Sequence, residues 1–153
     1  MKHILTIVLT AALVLLSACS APQNEERKID LDALAEELLE SGIFEEELNP
    51  ADGEIAEKLY GIDDAVSFQL YVGSGATASE LALLEFETEE DAKAALSLAQ
   101  ARVDAQTESF ASYLPGEVKK LEDAVIEQHG RYVVVCVSEG DAGPILSNYV
   151  QGR

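Results

Sequence analysis

The chain has 153 residues, with 10 Lys and Arg against 29 Asp and Glu, for a formal charge of −19. A surface this acidic excludes nucleic acid and anionic lipid headgroups as partners, because both are held by clustered Lys and Arg. It equally serves to keep a domain soluble outside the cell.

Lys2 and His3 begin a leader, and Ile4 to Leu16 is an apolar run broken only by Thr6 and Thr10. At 1.5 Å per residue this run falls well short of the ~30 Å hydrocarbon core of a bilayer. A basic start, a short apolar run and small residues at its end read as a secretory signal peptide. The small residues are Leu16-Ser17-Ala18-Cys19, which resemble the lipobox of bacterial lipoproteins. That resemblance implies cleavage between Ala18 and Cys19. It also implies a diacylglyceryl group on the Cys19 thiol and a fatty acid such as palmitate on the new amine. Two or more acyl chains anchor stably where one binds only marginally.

The expected organisation is a signal peptide over residues 1–18, a lipidated cysteine and tether over 19–28, and one α+β domain over 29–153. Without the leader the chain carries 9 basic and 29 acidic side chains, a charge of −20. With Cys19 acylated, Cys136 is the sole remaining thiol. It sits in the apolar run Tyr132 to Val137 and reads as core.

Within the domain, Asp30 caps a helix whose stripe is Leu31, Leu34, Ala35, Leu38 and Leu39, ending near Ser41-Gly42. Asn49-Pro50 breaks the chain, and a second short helix with Ile55, Ala56, Leu59 and Tyr60 stops at Gly61. Glu45 to Glu47, Asp52 and Glu54 lack the alternating spacing of a Ca²⁺ loop and read as a solvated acidic face. Val66, Phe68, Leu70 and Val72 alternate with polar residues as a strand does, and a second strand runs over 80–87. Their join, Gly73 to Ser79, is a hairpin loop of small residues. Its Gly-x-Gly is no dinucleotide fingerprint, since a strand follows where a helix is needed.

Thr88 caps the longest helix, about 25 residues with Ala92, Ala95, Leu96, Ala99, Val103, Phe110, Tyr113 and Leu114 in one stripe and a polar gap at Gln106. Pro115-Gly116 ends it, and a turn or two of helix follows before Asp123. Ala124 to Ile126 and Tyr132 to Val137 form a second hairpin, turning on His129-Gly130, and a last helix starts near Asp141 to Pro144. The order predicts an α+β fold: an antiparallel sheet of about four strands in two hairpins, one face covered by the long helix, with helices at both ends of the domain.

A set of short pieces, in order from Asp30 to Tyr149, resembles the bacterial lipoproteins of domain-of-unknown-function family 4358. The pieces are Phe44-Glu45-Glu46-Glu47-Leu48, Leu59-Tyr60-Gly61-Ile62-Asp63 and Gly75-Ala76-Thr77-Ala78-Ser79-Glu80, then Arg102, Gln106, Phe110, Tyr113, Pro115, Glu117, Lys120-Leu121 and Gly130-x-Tyr132-Val133. The resemblance implies fold and address, without a mechanism.

No nucleophile–base set, metal-ligand spacing or cofactor motif stands out in the sequence. The expected function is therefore a non-catalytic, lipid-anchored module at the outer face of the bacterial cell membrane, binding an envelope protein or a small ligand. The candidate binding residues are Ser74, Gly75, Ala76 and Glu80 around the first hairpin, with Tyr113 and Glu117 beyond the long helix. His129, the lone histidine after the leader, reads as a turn residue. An alternative from another class is a hydrolase of peptidoglycan or another envelope glycan using a carboxylate pair such as Glu80 with Glu117. For the anchor, Cys19→Ala is expected to abolish metabolic labelling of the protein with a lipid precursor; labelling that survives the substitution rejects the lipobox.

Overall fold

A computed structural model of the chain describes residues 28–152. Ala18, Cys19, the leader and all of the tether except Lys28 lie outside the described residues. Helix α1 (Leu31–Glu40) is capped by Asp30, whose side chain accepts from the Ala33 N–H. Strand β1 is only Asn49–Pro50. Helix α2 (Gly53–Tyr60) stops at Gly61 in the left-handed region. Then come β2 (Ser67–Val72), β3 (Glu80–Glu85) and α3 (Glu89–Tyr113), a 25-residue helix capped by Thr88. A 3-10 turn at Pro115–Glu117 leads into α4 (Val118–Glu122). The chain closes with β4 (Val125–His129), β5 (Tyr132–Val137) and α5 (Gly143–Gln151).

The five strands form one antiparallel sheet in the order β1-β2-β3-β5-β4, so the α+β class and the two hairpins stand. The fifth strand comes from Asn49–Pro50, expected only as a break. It pairs with Val72 and Tyr71 at the edge of β2, a place a proline tolerates because its missing N–H is not needed there. Val66, expected to alternate inward, precedes β2 and is exposed.

The sheet is covered on both faces, not one. On the first face Leu70, Ala82, Leu84, Val133, Val135 and Val137 meet α2 and α3. On the second, Leu81, Leu83, Tyr132, Val134 and Cys136 meet α1 and α5. This explains why β3 and β5 lack alternation. Central strands buried on both sides read as continuous apolar runs. The alanines of α3 (Ala92, Ala95 and Ala99) are buried and let the helix lie close to the sheet. Tyr113 and Leu114, expected in the same stripe, are exposed where α3 runs past the sheet.

The second hairpin turns on Gly130-Arg131, with His129 and Tyr132 paired across it. Gly130 has φ of 59°, and among the described residues no non-glycine has positive φ. Glycine thus holds the first central position, as a type II′ turn requires. Among the described residues no helix is long and apolar enough to cross a membrane.

Leu83 is fully buried in the middle of the sheet on the second face. Leu83→Ala is expected to lower unfolding stability by about 3 kcal/mol through lost transfer energy and the cavity left behind. Leu98→Ala on the exposed side of α3 should change it by less than about 0.5 kcal/mol. Urea denaturation midpoints test the contrast.

Candidate functional site

Glu80 opens β3 with its side chain on the α3 face, and it is 1 % exposed. A carboxylate there is tolerable only if its lone pairs are filled and its charge is offset. Both conditions hold. The Tyr60 hydroxyl donates to Oε1 at 2.6 Å. Arg102 grips both oxygens, with Nη2 to Oε2 at 2.7 Å and Nε to Oε1 at 3.4 Å. Gln106 Nε2 donates to Oε2 at 3.3 Å. Tyr60 ends α2, and Arg102 and Gln106 stand one turn apart on α3, so the node ties together the two helices of the first face and the sheet. Burial first, and the neighbouring Glu80 carboxylate second, hold the Tyr60 phenol well above its usual pKa. Tyr60 is therefore a permanent donor.

Above the node lies a cleft of about 290 Å³ between the β2–β3 loop and α3. Gly73, Gly75 and Thr77 line its loop side; Glu80, Arg102, Gln106, Ser109, Phe110 and Tyr113 line the rest. Tyr113 is 57 % exposed and leans on the buried Phe110, with ring centroids 4.9 Å apart. Gln106 Oε1 is buried and has no hydrogen-bond partner among the described residues.

The loop is clamped at both ends. Glu46 accepts from the Ser74 N–H at 3.1 Å and from the Thr77 hydroxyl. A β-carbon at position 73 would collide with the Glu46 carboxylate, so glycine is what admits this clamp. At the far end Glu117 accepts from the Ala78 N–H at 2.9 Å, and Lys120 donates to Ser79 Oγ at 3.1 Å and to Glu117 at 2.8 Å. Glu139 also pairs with Lys120. The Ala78 N–H, and then Lys120, hold the Glu117 carboxyl below the usual carboxylate value.

Of the expected binding residues, Gly75, Glu80 and Tyr113 line this one cleft. Ser74 is in the clamped loop, with its backbone turned to Glu46, and Ala76 is in the same loop. Glu117 lines a separate hollow with Lys120 and Glu139. The carboxylate pair of the hydrolase reading is thus divided. Glu80 and Glu117 face different hollows, each held by a cation, and Glu117 is driven toward the charged form that cannot act as an acid. Sequence reasoning missed Tyr60, Arg102 and Gln106 as partners of Glu80. The trace was present: Gln106 interrupts the apolar stripe of α3 one turn after Arg102, a polar pair on an otherwise inward face.

Elsewhere, burial lifts the Cys136 thiol to about 11, against a small opposing effect of its hydrogen bond with Ser138. It is an inert core side chain. His129 contacts Glu127 at 2.9 Å at the end of β4. No group of three or more His, Cys, Asp or Glu is placed to hold a metal ion among the described residues.

An α+β domain with a neutralised charge node beneath an aromatic-rimmed cleft is the class that fold and site define. The family described as Domain of unknown function (DUF4358) matches residues 41–138, well over half of the chain, and the protein belongs to that family. The match takes in β1 through β5 and the whole node, and leaves out α1 and α5. No curated protein and no solved structure matches the chain.

Arg102→Met removes the charge that offsets Glu80 while keeping the methylene stem. It should cost about 3 kcal/mol of stability at neutral pH, because a buried carboxylate is left with neutral donors only. A loss below about 1 kcal/mol in urea titrations would count against a buried carboxylate that depends on this cation.

Proposed function

We propose that this protein is a lipid-anchored, extracytoplasmic module that binds a ligand or partner in the cleft between the β2–β3 loop and α3, without chemistry of its own. The anchor is Cys19, supported by Leu16-Ser17-Ala18-Cys19 and the leader before it. Residues 20–28 join that anchor to the domain.

The observation that carries the binding role is the pairing of a saturated charge node with an open, rigid cleft. Every oxygen of Glu80 is occupied, so it positions Arg102 and Gln106 and has no lone pair turned to a substrate proton. The loop opposite is held at both ends, which lowers the ordering cost on binding. An exposed aromatic at the rim of a small concave site is the usual anchor for a ligand.

A photo-crosslinking amino acid in place of Tyr113, in intact cells, should yield an adduct of defined mass. The same residue in place of Leu98, exposed on α3 but outside the cleft, should not. Identical products from both positions, or none from either, would rule out the cleft as the binding site.

A further inference from the structure

We infer that the ligand of this cleft is an N-acetylated amino sugar, held by its acetamido group at Arg102 and Gln106 and by its ring face on Tyr113; the inference rests on the binding role proposed above. Arg102, Gln106, Phe110 and Tyr113 follow one another along a single face of α3, and all line the cleft. They offer three things in a row.

First comes a donor. Arg102 gives Nε and one Nη2 hydrogen to Glu80, and its Nη1 edge has no partner among the described residues. Next, one turn along, is an acceptor: Gln106 Oε1 is buried and unpaired, while Nε2 of the same amide is fixed on Glu80. Buried acceptors without a partner are rare and point to a missing donor. Gln106 lines the cleft, so a ligand N–H entering there is the donor this oxygen lacks. A donor and an acceptor side by side are complementary to a secondary amide, whose carbonyl takes the Arg102 hydrogen and whose N–H meets Gln106.

Charge narrows the class further. The Arg102 guanidinium is already neutralised by Glu80, and the chain carries −19 overall, so nothing favours an anion over a neutral amide. Third, the exposed Tyr113 ring backed by Phe110 presents a flat surface of the kind that C–H faces of a pyranose cover. Ser109 lines the same cleft and Thr77 stands on its far wall; both bring hydroxyl groups. A peptide fits less well. The neighbouring edge of β2, where an extended strand would add, is taken at Tyr71 and Val72 by β1.

Calorimetric titration of the detergent-solubilised full chain with the trimer of N-acetylglucosamine tests this, at about 0.15 M salt where charge effects reach only about 8 Å. The deacetylated glucosamine trimer and a blocked dipeptide amide serve as comparison ligands. The expected result is saturable binding of the acetylated trimer and at least tenfold weaker binding of the deacetylated one. That order runs against charge, since the deacetylated trimer is cationic and the protein acidic. Tyr113→Ala should weaken the acetylated trimer at least tenfold with a urea midpoint close to the parent's; Gln106→Met should weaken it at least tenfold with a lower midpoint, because it also removes a donor to Glu80. Equal affinity for the two trimers, binding of the dipeptide alone, or no binding of any probe overturns the sugar. If the crosslinker at position 113 still captures a component in that case, the cleft stands and only its ligand class falls.

Discussion

The structure turns on the burial of one charge. Glu80 lies at the start of a central strand, on the face where two helices close over the sheet, almost wholly shielded from solvent. Its neutralisation sets where the neighbours go. Tyr60 has to end α2 within reach, and Arg102 and Gln106 have to project from the same face of α3 a turn apart. A hydrophobic side chain at position 80 would place no such demand on either helix. Buried ion pairs contribute little net stability against well-packed apolar groups, while leaving one member unpaired is costly. The node is therefore best understood as fixing the register of α2 and α3 over the sheet, and hence the shape of the cleft.

The loop opposite is fixed by a second set of carboxylates. Glu46 and Glu117 each accept a backbone N–H from the β2–β3 connection, near either end of it. The three carboxylates hold the walls of the cleft: a guanidinium on α3 at Glu80, and main-chain amides of the loop at the other two. The effect is a rigid cleft assembled from residues far apart in sequence, with few apolar side chains in its loop wall.

Much of the fold was legible in the sequence because the signals were local. Asp30 and Thr88 cap the helices they precede, Gly61 and Gly42 lie just beyond helix ends in the left-handed region, and the two hairpins fall where the period changes. What was not legible depended on distant parts of the chain. Asn49-Pro50 becomes a strand only because β2 offers an edge. The covering of the second face is hidden in the lack of alternation in Leu81-Ala82-Leu83-Leu84, a pattern that reads equally well as strength of one strand. At the site, Gly75, Glu80 and Tyr113 were found because small, charged and aromatic residues near turns attract notice. Tyr60 read as part of an apolar helix face and Gln106 as a gap in one, and only contact across 20 or more residues gives them and Arg102 a role. Glu117 was drawn in by its position after α3 and belongs to a different hollow.

The two helices outside the family match have a further consequence. Helix α5, the last element of the domain, helps cover Leu81, Leu83, Tyr132 and Val134, and the Tyr149 hydroxyl reaches back to the Asp30 carbonyl at 2.8 Å. The first and last helices thus meet over one side of the sheet. The second face is closed only when α5 joins α1 over it, so a domain that lacks α5 leaves Leu81, Leu83, Tyr132 and Val134 covered by α1 alone.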